Sequence, residues 1–197
     1  MKRRFLITAI LALAVAVGGW AALRPDRPAA LDLAEPAGGA FTLNALSGPV
    51  SLADFRGKVV LIYFGYTFCP DVCPTSLALI AQALNGLEAD ELAHVQAVFI
   101  SVDPDRDTSE QLDRYTDYFH PGIVGVTGSE ADVADVATRY GAAYRKVEGE
   151  SAGGYLIDHT SMTYIVSADG SLVRTLPHGS PPPDIIAAIR EYLPEST

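Results

Sequence analysis

Basic side chains are scarce in this chain of 197 residues, in which 14 lysines and arginines stand against 24 acidic residues. Three of the bases, Lys2, Arg3 and Arg4, precede an apolar run, so the rest of the chain is more acidic than the formal net charge of −10 suggests. A surface of this sign repels phosphate and argues against a nucleic-acid partner. We expect an acidic soluble domain behind a short basic start.

Cysteine is also rare, with two residues beside 17 glycines and 13 prolines, and no internal repeat is visible. This composition excludes a disulfide-dense scaffold, a collagen and low-complexity disorder. With 49% hydrophobic residues, the chain is long enough to bury one sizeable core but too short for two. We expect a single globular domain over residues 40–197.

Long hydrophobic runs are limited to one segment, from Phe5 to Leu23, which carries no charge. As a helix it would extend about 28 Å, close to the thickness of the hydrocarbon layer, and Trp20 falls where an interfacial aromatic belongs. We predict a membrane anchor over 1–24, in preference to a cleaved signal peptide, with a cytoplasmic N-terminus. An extended linker over 25–39 would then lead to a domain in the periplasm of a bacterial source.

Apolar strand patterns alternate with helical patterns along the domain. The patterns predict a hairpin over 41–52, strands over 59–65, 95–102, 122–128 and 142–147, helices over 74–85, 108–119, 129–140 and 183–192, and a second hairpin over 162–176 that turns at Asp169-Gly170. This order predicts an α/β sandwich with a parallel core and an antiparallel edge. Chemistry is expected where the first parallel strand leads into the first long helix.

Both cysteines lie at that position, in the sequence CPDVC after the strand at 59–65. Pro74 fits the first turn of a helix, which places Cys73 near the N-cap, where free amide donors and the helix dipole favour a thiolate. Cys69 and Cys73 could close a reversible disulfide or chelate a soft metal such as Cu(I), and the spacing does not choose between these. A static structural disulfide is the third alternative, disfavoured because so small a loop gains little stability.

The four histidines differ in their surroundings. We expect His94, His120 and His178 to be structural or exposed, whereas His159 stands in a predicted loop just before the strand MTYIV. In a thioredoxin-like sandwich this loop lies beside the N-terminus of the first helix, where His159 would meet Cys69 and Cys73. Two thiolates and one imidazole would give a three-coordinate site, suited to Cu(I) and able to accept Cu(II).

Four segments together resemble the Sco family, also called SenC or PrrC. They are DFRGKVVLIYFGYTFCPDVCPTSL (54–77), SVDPDRDT (101–108), YFHPGIVGVTG (118–128) and DHTSMTYIVSADG (158–170). The resemblance implies a membrane-anchored, thioredoxin-like copper protein with a central mixed sheet flanked by helices, which assists assembly of the CuA centre of cytochrome c oxidase. It implies Cys69, Cys73 and His159 as the copper ligands.

The same resemblance marks Asp71 and Asp103 as residues that support the ligands or contact a partner. An equally good interpretation of Asp103, Asp105 and Asp107 is an acidic turn leading into a helix capped near Thr108. The sequence leaves these two interpretations open.

The first functional hypothesis is a monomeric copper metallochaperone, which is not an enzyme because it turns over no small substrate. Its expected partners are the CuA-bearing oxidase subunit and other copper chaperones or thiol reductants. The alternative is a thiol-disulfide oxidoreductase that reduces the CuA-site cysteines with Cys69 and Cys73 as its redox pair. The C-x-x-x-C spacing is one residue longer than that of thioredoxin-like reductases, and His159 has no task in a pure dithiol reductase. A peroxidase is the weakest hypothesis, since it needs one peroxidatic cysteine in a peroxide pocket.

Overall fold

The structure, a computed structural model, describes residues 36–148 and 154–194. The strands of this part of the chain are β1 (Thr42–Ala45), β2 (Gly48–Ser51), β3 (Val59–Gly65), β4 (Val95–Ser101), β5 (Ile123–Val126), β6 (Tyr144–Glu148), β7 (Tyr155–His159), β8 (Thr163–Val166) and β9 (Leu172–Leu176). The helices are α1 (Val72–Asn85), α2 (Ala89–Ala93), α3 (Ser109–Phe119), α4 (Glu130–Arg139) and α5 (Pro182–Arg190), with a 3-10 turn at Leu52–Phe55.

A mixed sheet of five strands in the order β5-β4-β3-β8-β9 forms the centre of the fold. β3 pairs in parallel with β4, and β4 with β5, whereas β8 runs antiparallel to both β3 and β9. Every residue of β3 is buried, which is why its sequence, VVLIYFG, is a continuous apolar run rather than an alternating one. The predicted parallel core and antiparallel edge are confirmed, and the architecture is the thioredoxin-like α/β fold.

A separate two-stranded sheet, formed by β6 and β7, carries His159. β6 and β7 pair antiparallel, from Tyr144 opposite His159 to Glu148 opposite Tyr155, and neither strand joins the central sheet. The prediction of a loop around His159 was therefore wrong, because this residue ends β7. The segment is a strand because it pairs with β6, the strand that precedes it along the chain.

Helix ends differ from the sequence predictions by one or two residues. α1 begins at Val72 with Asp71 as its N-cap, so Cys73 lies inside the first turn, where Pro74 is also tolerated because its missing N–H has no partner to lose. At α4 Ser129 and Asp132 form a capping box. At α3 Thr108 accepts from the backbone N–H of Gln111 as predicted. The short helix α2 and strand β7 were not predicted.

The predicted anchor over 1–24 lies outside the described residues, as does most of the predicted linker over 25–39. Within the described ranges, no helix is both long and apolar enough to cross a membrane. The last linker residues contact the domain: the Gly38 N–H donates to the Arg139 carbonyl at 2.9 Å, and the Gly39 carbonyl accepts from the Tyr140 hydroxyl at 3.0 Å.

Candidate metal centre

The two cysteines occupy the crossover from β3 to α1. β3 ends at Gly65, and a methyl group at that residue would fall 2.6 Å from the Cys73 sulfur and 2.8 Å from the Phe99 ring. The strand therefore needs a glycine where the helix sulfur approaches it. Cys73 is fully buried and Cys69 is 9% exposed, so the pair lies at the edge of the core. Both are free thiols in this structure.

His159 completes a cluster of three potential ligands. Its Nε2 lies 3.2 Å from the Cys73 Sγ, and the ligand atoms of Cys69, Cys73 and His159 all lie within 4.8 Å of one another. Within residues 36–148 and 154–194, no other three His, Cys, Asp or Glu residues converge in this way. The structure thus brings together the three residues that the sequence analysis named.

The surroundings of His159 orient its ring for binding. Its Nδ1 lies 3.2 Å from the Thr160 carbonyl oxygen, which can only accept. When Nδ1 donates to this oxygen, the neutral ring presents the Nε2 lone pair to the sulfurs, and this is the form that binds a metal. The edges of two tyrosine rings meet the imidazole at 87°, with centroid separations of 6.2 Å for Tyr63 and 5.9 Å for Tyr66. These contacts restrict rotation of the ring.

The two thiols differ in acidity. The S–H of Cys73 donates to Cys69, and with His159 and the backbone N–H groups of Asp71 and Cys73 this lowers the pKa of Cys69 to about 4. Burial, together with the neighbouring Cys69, raises the pKa of Cys73 well above its usual range. The expectation that the thiolate forms at Cys73 was wrong, because the amide donors of the helix N-terminus face Cys69, whereas Cys73 lies in the core.

This asymmetry predicts selective alkylation. With substoichiometric iodoacetamide at about pH 7, the reduced metal-free chain should be modified at Cys69, since the thiolate is the nucleophile. Because the pKa of Cys69 is near 4, its rate should stay flat from about pH 6 to about pH 8, where an ordinary thiol accelerates. Peptide mass spectrometry gives the site. Modification of Cys73 first, or a rate that climbs with pH like that of a free thiol, would contradict the assignment.

The other histidines lie outside the cluster. His94 is exposed at the end of α2. His120 is partly buried, its Nδ1 accepts from the Gly122 N–H at 2.9 Å, and burial lowers its pKa. The exposed His178 lies with its Nδ1 3.0 Å from the hydroxyl oxygen of Ser76 on α1.

The aspartates of SVDPDRDT divide into buried and exposed groups. Asp103 and Asp107 are buried, whereas Asp105 is exposed and pairs with Lys146 at 2.6 Å. A buried carboxylate such as that of Asp103 has no surface to offer a partner, so the partner-contact alternative fails for it. The other residue marked by the resemblance, Asp71, is exposed, and its side chain makes no capping hydrogen bond.

Asp107 holds the loop that carries Cys69. Its carboxylate accepts from the Thr67 N–H at 3.0 Å, the Thr67 hydroxyl at 2.5 Å and the Ser101 hydroxyl at 2.6 Å. The side-chain amide of Gln111 also donates to the Thr67 hydroxyl oxygen at 3.0 Å. The hydrogen bonds of Thr67 to Asp107 and Gln111 were not predicted from the sequence. A signal was present, because the polar residues after β4 must meet those after β3 at the same sheet edge.

Comparison with known proteins identifies the family of this chain. The SCO1/SenC family model matches residues 29–194. The chain belongs to the SCO1/SenC family. It is 39% identical over 180 residues to the mitochondrial protein SCO2 homolog of Bos taurus, covering 86% of this chain and 67% of that one.

Solved structures of Sco proteins share the fold. Copper-bound ScoI of Bradyrhizobium japonicum is 39% identical, with a TM-score of 0.72 over 80% of this chain and 99% of that one. BsSco, described as a member of the Sco family of cytochrome c oxidase assembly proteins with a disulfide switch, is 25% identical, with a TM-score of 0.67 over 83% of this chain and 96% of that one. The Cys-Cys-His cluster of this Sco protein fits copper binding.

Proposed function

We propose that this Sco protein is a copper metallochaperone that binds copper as cargo through Cys69, Cys73 and His159. It would deliver the metal to the CuA-bearing subunit of cytochrome c oxidase. The observation that carries the proposal is the convergence of two sulfurs and one imidazole nitrogen within 4.8 Å. The relatives that bind copper or belong to the oxidase assembly proteins by description support it.

The donor set fits copper and is one ligand short of a structural zinc site. Thiolates are soft ligands that select Cu(I), and an imidazole suits both copper oxidation states. A structural zinc site takes four ligands, and the described residues supply three. Metal binding releases the Cys73 proton, because a ligating thiol must be deprotonated.

Delivery of the copper proceeds by ligand exchange. Each donor of the recipient forms one bond to copper as one bond from Cys69, Cys73 or His159 breaks, and the copper keeps its oxidation state. The half-buried His159 is the most accessible of the three ligands, and an open cleft of about 310 Å³ lined by β6 and β7 reaches it. We therefore propose that the recipient approaches from the His159 side and displaces this ligand first.

The low pKa of Cys69 favours a second function, reduction of the CuA-site cysteines. The Cys69 thiolate would attack one sulfur of the substrate disulfide and expel the other as a thiolate, which takes up a proton. Cys73 would then lose its proton, attack Cys69 and release the second substrate thiol, so the substrate gains two electrons as this chain becomes a disulfide. His159 has no step in this scheme.

We propose further that residues 1–24 anchor the domain over 40–197 to the inner membrane, in the periplasm of a bacterial source. Such an anchor would keep the copper site near a membrane-bound oxidase. The linker over 25–39 would let the domain reach its partner.

An anaerobic titration tests the copper proposal. The reduced full chain is titrated with Cu(I) against a competing chelator, beside His159→Ala and the matched control His94→Ala. We expect one equivalent of tightly bound copper, weakened by at least about 10-fold in His159→Ala, because loss of an outer contact alone costs that much. His94→Ala should leave binding unchanged, because His94 is exposed and lies outside the cluster. Absence of stoichiometric binding would overturn the chaperone proposal in favour of reduction.

A further inference from the structure

His159, the third ligand, lies on a different structural element from the two cysteines. Cys69 and Cys73 follow a strand of the central sheet, whereas His159 ends the β6–β7 hairpin, which has no strand pairing with that sheet. Placement of the imidazole against the sulfurs therefore depends on the short link from His159 to β8 and on contacts between the hairpin and the domain body.

One face of β7 supplies those contacts. Successive side chains of a strand alternate between faces, so Tyr155, Ile157 and His159 share one. His159 lies about 13 Å along the strand from Tyr155. In the middle, the buried Ile157 donates its backbone N–H to the Tyr66 hydroxyl at 3.1 Å, and the Tyr66 ring also meets His159 edge-on.

Tyr155 is held by two residues at the far end of that face. Its hydroxyl donates to the Asp103 carboxylate at 2.7 Å, its carbonyl accepts from Arg106 at 3.0 Å, and the Arg106 guanidinium carbon lies 3.6 Å from its ring centroid. Asp103 and Arg106 also pair with each other at 2.5 Å. We name Asp103, Arg106 and Tyr155 the clasp. A cation on an aromatic face, closed by charge-assisted hydrogen bonds, is a strong and directional contact.

The clasp belongs to the body that carries the cysteines. Asp103 follows β4, the parallel neighbour of β3, and its backbone N–H donates to the Ser101 hydroxyl, which in turn donates to Asp107. Asp107 holds Thr67 in the cysteine loop. One turn after β4 thus contacts both ligand-bearing segments, through Asp107 on one side and the clasp on the other.

We propose that Tyr155 is a positioning residue for His159: by locking β7 into the clasp, it holds the imidazole Nε2 against the two cysteines. The inference rests on the proposed function of the site as a copper centre. Without the clasp, the cysteines keep their place and the histidine moves away from them more often.

The test uses Tyr155→Phe, which removes the hydroxyl that reaches Asp103 but keeps the ring beneath Arg106. The matched control is Tyr118→Phe, since Tyr118 is 84% exposed on α3. In the metal-free reduced chain, hydrogen exchange at Ile157 and His159 should quicken about fivefold, the effect of losing one net hydrogen bond, while exchange in β3 stays constant. Arg106→Lys, which keeps a cation beside Asp103 but loses the planar stack, should act in the same direction.

A double-mutant cycle separates positioning from general destabilisation. Tyr155→Phe should weaken Cu(I) binding by at most about fivefold when His159 is present, because the loss follows the fraction of chains whose histidine is displaced, and should have no effect in a His159→Ala background. Equal losses in both backgrounds, or unchanged exchange in β7, would overturn the positioning role. If the parent chain binds no copper, the proposed function fails, and the exchange measurement still decides whether the clasp holds β7.

Discussion

Cys69→Ser combined with Cys73→Ser is expected to abolish stoichiometric Cu(I) binding to the full chain. A serine hydroxyl stays protonated at neutral pH and is a hard ligand, so the imidazole of His159 is the one donor suited to copper that this cluster keeps. We expect an affinity loss of at least about 100-fold, since two of three ligands disappear and even an outer contact is worth about 10-fold or more. Anaerobic competition with a Cu(I) chelator measures it.

A control is needed because Cys73 is fully buried. Serine there places a hydroxyl in the core, which costs about 1 to 3 kcal/mol of unfolding free energy unless it finds a partner. Cys69→Ser with Cys73→Ala avoids the buried hydroxyl and should lose copper equally. Urea unfolding of the metal-free proteins shows whether both variants fold. Retention of one equivalent of copper by either folded variant would contradict the role of the cysteines.

Asp107→Ala is expected to lower the unfolding free energy of the metal-free chain by about 3 kcal/mol. The substitution leaves the Thr67 N–H and the hydroxyls of Thr67 and Ser101 without their shared acceptor at a buried place. The loop that carries Cys69 should loosen at the same time. Asp105→Ala is the matched control, since Asp105 is exposed in the same turn and should change stability by less than about 1 kcal/mol.

Asp107→Asn gives a second measure of the same contact. Burial raises the pKa of Asp107 above its ordinary value of 3.8, so the folded chain binds this proton more tightly than the unfolded chain. The contribution of Asp107 to the free energy of unfolding is therefore largest below about pH 3.8. It falls as the pH rises through the pKa that Asp107 has in the folded chain. Urea unfolding at a series of pH values should show this decline in the parent and not in Asp107→Asn. If Asp107→Ala were as stable as the parent chain, the proposed role of Asp107 in holding the Thr67 loop would be contradicted.

Local sequence patterns sufficed for the central sheet and for the cysteine crossover. The apolar run of β3 is typical of a strand buried on both faces, and Pro74 correctly predicts a helix just after the cysteines. Placement of His159 near the sulfurs came from the thioredoxin-like arrangement and the resemblance to the Sco family. The strand that ends at His159 was not predicted, because β7 forms only by pairing with β6.

Properties that depend on burial could not be read from the sequence. Cys69 and Cys73 look alike in CPDVC, and only the fold shows that Cys73 enters the core while Cys69 receives the helix amides. The turn SVDPDRDT likewise conceals the difference between the buried Asp103 and the exposed Asp105. Both distinctions depend on which residues from distant segments cover each side chain.

X-ray absorption of the Cu(I)-loaded full chain is the most direct test of a copper centre built from Cys69, Cys73 and His159. We predict a three-coordinate copper with two sulfur neighbours and one nitrogen neighbour, and loss of the nitrogen contribution in His159→Ala. A sulfur-only site in the parent chain, or the same spectrum with and without His159, would contradict the assignment.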